Sequence, residues 1–173
     1  MAHDDIDSVE GDEDDDNIDN TYLTFIVDDE EYAVHVSHVT EIVRLQKSFA
    51  VPDVPAYIRG VINLRGKVIP LLDVRSRFGL KEAEYTDRTV IIVLEVGDTA
   101  TGLVVDGVSE VAEITPENID TRSIPAQQGR SSMVSGMGKR ADRVSFILDV
   151  PFLLSAESST KTYIPSRPTG VAA

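Results

Sequence analysis

The sequence predicts an all-β protein with only short helices. Apolar residues gather in brief runs rich in aromatic and β-branched types, such as TYLTFIV, RTVIIVLEV and VSFIL. Turn signals fall between the runs, at Asp28-Asp29, Arg65-Gly66, Gly97-Asp98 and Asp106-Gly107. Helical spacing of apolar residues holds only over short stretches. A chain of 173 residues suits one domain, or two small lobes sharing a core.

The formal net charge is −14, and it is uneven: residues 1–20 hold ten acids and no Lys or Arg, which leaves −4 for the rest. That stretch has too little apolar surface to offset the entropy of ordering, so we expect a disordered acidic tail, dispensable for folding. Order is expected from Thr21, where TYLTFIV reads as a strand, followed by a turn at 28–30 and the alternating strand EYAVHV. Ser37 is placed to cap a short helix in which Val39, Ile42 and Val43 fall at helical spacing. Pro52 and Pro55 mark 48–55 as a loop.

The segment YIRGVINLRGKVIPLLDVRSRF, residues 57–78, reads as two strands reversing at Arg65-Gly66, then one helical turn stopped by Gly79. Pro70 has no N–H to donate, so its part of the second strand belongs at an edge or a bulge. After a break at 81–87, residues 88–96 form a long apolar strand and 101–105 its return. Asp106-Gly107 turns the chain into VSEVAEI, and 116–132 reads as polar and irregular. Residues 144–148 form the last strand, Asp149 caps a short helix in VPFLL, and 155–173 is a flexible tail.

Catalytic chemistry finds little support. With no cysteine there is no disulfide framework, Cys-based zinc site or thiol nucleophile. His35 and His38 form H-x-x-H with no third ligand nearby, so no metal is expected. GMGKR at 136–140 fails as a phosphate loop: Met133 stands where glycine is needed, and Arg140 where Ser or Thr is needed. Asp73 and Asp106 are single carboxylates near strand ends, and no nucleophile is paired with a base. A secretory signal and a membrane-spanning run are both lacking, so a cytoplasmic protein without direct membrane insertion is expected. What remains is binding. Arg65 at the hairpin tip is either a binding group or a solvated side chain.

The hairpin motif NLRG, with VPDVPAYIRGVI ahead of it and VDGVSEV after it, resembles the CheW family of chemotaxis coupling proteins. The likeness runs colinearly over 21–154; it departs at the acidic tail and at 116–132. It implies two interlocked SH3-like five-stranded β-barrel lobes with short helices. It also implies a non-enzymatic, cofactor-free adaptor joining the regulatory domain of the kinase CheA to the cytoplasmic tips of chemoreceptors, the methyl-accepting chemotaxis proteins, at membrane-associated arrays. By position, the resemblance puts Val39, Glu41, Asn63 and Arg65 in a partner surface of the first lobe. Gly60 keeps the strand beside the hairpin free of a side chain. Val90 and Val108 help form an inter-lobe groove for the receptor tip. For the valines, a plain core role looks the same in sequence. The competing reading is a small β-barrel that binds a ligand or nucleic acid outside chemotaxis. It calls for exposed aromatics among basic residues, whereas the five Tyr and five Phe lie mostly in apolar strands, and nucleic acid is not an expected partner.

Overall fold

The computed structural model describes residues 18–122 and 133–154. The expected tail 155–173 and most of the acidic tail lie outside these residues. Among the described residues, eleven strands form two sheets. The first sheet takes strands from both ends of the chain: β1 (Thr21–Val27), β2 (Glu30–His35), β8 (Gly107–Glu113), β9 (Ile119–Asp120), β10 (Val134–Arg140) and β11 (Arg143–Leu148), in the order β8-β1-β2-β11-β10-β9. The second is built from the middle: β3 (Val39–Arg44), β4 (Ile58–Leu64), β5 (Lys67–Asp73), β6 (Val90–Val96) and β7 (Thr99–Val105), in the order β3-β6-β7-β5-β4. The all-β expectation holds. One sheet has five strands as expected; the other has six, because the two-residue β9 extends its edge.

The sheets share one core. Leu23, Phe25, Tyr32 and Val34 of the first meet Ile92, Leu94, Leu103 and Val105 of the second. A smaller cluster of Ile62, Ile69, Leu71, Ile91, Val93 and Val104 fills the other side of the five-stranded sheet. β6 feeds both clusters alternately, which is why VIIVL is continuously apolar. Two single-turn helices, α1 (Val74–Arg77) and α2 (Val150–Leu153), start at Asp73 and Asp149, whose carboxylates accept the amides of Ser76 and Phe152. Gly79, at φ 75°, follows α1 as predicted.

One reading needs correction, and one strand went unread. Residues 39–44 are a strand, not a helix: a 3-10 turn (Val36–His38) ends at Val39, and β3 then pairs with β6 from Val39↔Leu94 to Arg44↔Val90. The β-branched residues Val39, Thr40, Ile42 and Val43 serve a half-buried edge, and tertiary pairing overrides the short helical spacing. Residues 134–140 form a strand that Gly136 and Gly138 conceal. A Cβ on Gly136 would stand 2.8 Å from Ile119 Cγ2, and one on Gly138 would stand 3.0 Å from Ile114 Cδ1, so glycine is required by close packing. The turn expected at Asp106-Gly107 is present and carries the chain from β7 in one sheet to β8 in the other. Pro70 sits as expected: it pairs with Val61 of β4, and the β5–β7 ladder starts only at Leu71↔Gly102.

The acidic stretch ends earlier than its composition suggests. Ile114 N–H donates to Asn20 O at 2.8 Å, and His35 Nε2 lies 2.9 Å from Asp19 O. At about 1 kcal/mol per hydrogen bond, a chain starting at residue 21 should melt about 2–8 °C below one starting at 18. Equal melting points would show that these bonds add nothing.

Gly60 makes a second test. It has φ 137° at a bulge of β4, and a Cβ there would meet Phe49 O at 2.6 Å. Gly60→Ala should cost about 2–4 kcal/mol by urea unfolding, because it combines backbone strain with a clash against main chain.

Candidate functional site

The hairpin tip is a built feature. Arg65 and Gly66 both have positive φ, 53° and 86°, as a two-residue turn matched to strand twist requires. Asn63 Oδ1 accepts the Gly66 N–H at 2.8 Å and fixes the turn. The Arg65 guanidinium, though its side chain is 69% exposed, is paired through Nη2 with Glu41 Oε2. Glu41 lies on β3 just after a bulge at Thr40, at the edge of the sheet opposite β4. The five-stranded sheet therefore curls far enough for side chains to bridge its two edges. Arg65, Glu41, Lys67 and Glu95 ring a concavity of about 250 Å³ floored by Leu64 and Ile69.

A second concavity, about 800 Å³, lies between the sheets. Val90 of β6 and Val108 of β8 both line it, with Arg44, Arg75 and Asp106. Val108 is 38% exposed, while Val90 is half-buried against the shared core. Arg75 locks this region. Its Nε and Nη2 donate to Asp106 at 2.8–3.2 Å, and its Nη1 reaches Lys81 O at 2.9 Å and Asp28 Oδ1 at 3.4 Å. Asp106 also accepts the Asp28 amide at 2.8 Å. Burial pushes the Asp106 carboxyl up. The Arg75 hydrogen bond, the Asp28 amide and the Arg75 charge outweigh that and hold it below its ordinary value.

One groove wall, residues 83–89, is anchored through Tyr85. Its Oη donates to Asp73 Oδ2 at 3.0 Å, and Arg59 joins Asp73 at 3.1 Å and Glu82 at 3.0 Å. Burial first, then the Asp73 charge and hydrogen bond, push the Tyr85 phenol up to about 12, so it remains a donor at neutral pH.

The structure thus joins Glu41 to Arg65, with Asn63 shaping the turn, and places Val90 and Val108 in one groove. It does not bring Val39 to either surface: Val39 is half-buried against the shared core. Gly60 is also buried, its open side filled by the Phe49 carbonyl, so any influence on a partner passes through that loop. Sequence reasoning missed Arg75 and Tyr85 and took Asp106 for a turn former. Their partners lie 31, 12 and 78 residues away, and no local pattern announces them. It also missed Phe49, 51% exposed yet held by two backbone bonds to Val61 at 2.8 and 2.9 Å. Among the described residues, no cluster of three or more His, Cys, Asp or Glu could hold a metal ion.

Two sheets around a shared core, with an ion-paired turn on one and a groove between them, define a scaffold built of surfaces. The CheW-like domain model matches residues 21–158, and the chain belongs to that family of chemotaxis scaffolds. It is 36% identical over 137 residues to the chemotaxis protein CheW of Bacillus subtilis, covering 79% of this chain and 88% of that protein. It is 35% identical over 136 residues to that of Klebsiella aerogenes, covering 79% and 82%. The crystal structure of scaffolding protein TtCheW from Thermoanaerobacter tengcongensis superposes with a TM-score of 0.74 at 30% identity, covering 80% of this chain and 94% of that one. Among the described residues, no helix is long and apolar enough to cross a membrane.

The Arg75–Asp106 lock gives a pH test. Because the Asp106 pKa is depressed in the fold, its stabilisation is complete above its unfolded value and is lost as pH falls through the folded one. Asp106→Asn should therefore lower stability at pH 7 and flatten the loss below about pH 4. Parallel acid-unfolding curves for the two proteins would remove Asp106 from the account.

Proposed function

We propose that this chain is a non-enzymatic adaptor that joins the CheA regulatory domain to the cytoplasmic tips of methyl-accepting chemoreceptors, at receptor arrays beside the membrane. The observation that supports this most is the presence of two separate surfaces around one shared core. The turn surface, with Glu41, Asn63 and Arg65, is charged and directional. It suits a partner that offers carboxylates or free backbone carbonyls to a guanidinium fork. The groove is partly apolar, and its valines suit the ridge of a helix. We assign the kinase to the turn surface and the receptor helix to Val90 and Val108.

Charge argues against the nucleic-acid alternative. The groove sets Asp29, Glu84, Asp87 and Asp106 beside Arg44, Arg75 and Arg88, and Arg75 is already engaged by Asp106. A phosphate backbone needs a surplus of cations there.

The test is Arg65→Ala. An exposed ion pair contributes less than about 1 kcal/mol to folding, so the melting temperature should hold. Losing charge-assisted hydrogen bonds to a partner should weaken the complex about tenfold to a hundredfold, and kinase activation in a reconstituted receptor assembly should fall accordingly. Arg65→Lys should restore part of the effect, since a point charge lacks the planar fork. A stable Arg65→Ala protein that couples receptor to kinase normally would return Arg65 to a solvated tip.

A further inference from the structure

The six-stranded sheet contains an ionic cluster that the proposed contacts do not use. Glu31 of β2 is buried, with its side chain 8% exposed. Arg140 Nη2 reaches its Oε2 at 2.5 Å and Arg143 Nη2 its Oε1 at 2.7 Å, and the Ser145 hydroxyl also donates to it. The same two arginines extend to β8. Arg140 Nη1 lies 2.6 Å, and Arg143 Nη1 3.3 Å, from Glu110 Oε2, and Arg143 Nη2 lies 3.3 Å from Ser109 Oγ. Arg140 and Arg143 are direct cross-strand partners beside the β10–β11 turn. Two cations so placed repel unless carboxylates lie between them, and Glu31 and Glu110 supply these.

Ser109 and Glu110 are where β8 breaks register. Phe25 pairs with Val108 but Thr24 pairs with Glu110, so Ser109 is an extra residue. The buried Thr24 hydroxyl fills the gap, donating to Glu110 O at 2.9 Å and accepting Glu110 N–H at 3.1 Å. Thr24 and Phe25 point to opposite faces of the sheet, and so do their partners. Without the bulge, Val108 and Glu110 would share a face. With it, Val108 turns to the Phe25 side and into the groove, while Glu110 turns to the arginines.

We propose that Arg140 and Arg143 are positioning residues for the groove: by gripping Glu110 and Ser109 they hold the bulge that presents Val108. The inference rests on the reading that the groove receives the receptor helix. Weakening the grip lets β8, an edge strand, slide by one residue, which moves Val108 to the wrong face.

The test uses the full chain carrying Glu110→Gln, which keeps the shape of this half-exposed side chain and removes its charge. Three quantities are read: nuclear Overhauser contacts between the Val108 methyls and the Phe25 ring, amide exchange along β8, and binding of a receptor-tip fragment and of a CheA regulatory domain measured separately. The Val108–Phe25 contacts should weaken, and β8 amides should exchange about tenfold faster. Receptor binding should fall about five- to tenfold, with kinase-domain binding changed less than twofold. Salt should speed β8 exchange in the parent protein but not in the variant. If Glu110→Gln unfolds, Arg143→Lys carries the same measurements, with a smaller effect in the same direction. Unchanged β8 exchange and contacts overturn the proposal, even if receptor binding falls, because Glu110 would then be a contact. Val108→Ala separates the two levels. It should weaken receptor binding without altering β8 exchange. If it leaves binding intact, the groove reading fails, while the exchange and contact data still judge the register claim.

Discussion

In both sheets, arginines reach across gaps that the backbone ladders leave open. In the five-stranded sheet, Arg65 beside β4 meets Glu41 on β3, although β6, β7 and β5 lie between those strands. In the six-stranded sheet, Arg140 on β10 meets Glu110 on β8, across β1, β2 and β11. A ladder fixes neighbours, but it does not fix how far a sheet curls. Arginine suits that task because its fork spans several ångströms and engages two carboxylates at once, as Arg140 and Arg143 both do with Glu31 and Glu110. The exposed bridge, Arg65–Glu41, can be given up to a partner at little cost in stability. The bridge around Glu31 cannot, since removing either side would strand a buried charge.

The groove follows from how the sheets share their core. Each sheet gives its central strands to the common cluster, and each leaves an edge strand, β3 or β8, where that cluster runs out. Val90, packed against that cluster, and Val108, more exposed, sit at this margin. The Arg75–Asp106–Asp28 lock holds the margin at a fixed width, because it ties α1, the β7–β8 crossing and the β1–β2 turn together.

What the sequence revealed follows the range of the forces involved. The hairpin at 58–73, the cap at Asp149 and the stop at Gly79 depend on neighbours a few residues apart, and all were legible. β3 was misread because Val39, Ile42 and Val43 satisfy a helix as well as an edge strand with a bulge; only pairing with β6, some fifty residues on, decides between them. β10 was missed because Gly136 and Gly138 weaken any strand signal, while the reason for them, Ile119 and Ile114, lies in another element. The site divides in the same way. Arg65 stood out by its place in a turn, but its pairing with Glu41 spans 24 residues and the curl of a whole sheet. The family resemblance supplied Val90 and Val108 for the groove, and packing withdrew Val39 from the turn surface where the resemblance had put it.

This division bears on how an adaptor can change partners without losing its fold. The buried residues of β6 and β7 serve two clusters at once, so substitution there disturbs both sheets. The turn at Arg65 and the edge at Val108 touch the cores lightly, and ion pairs in place of packed side chains hold them. Such pairs are directional but contribute little net stability when exposed. Charge at the turn can therefore vary to suit a partner at little cost to the fold, whereas the edge at Val108 keeps its arginines.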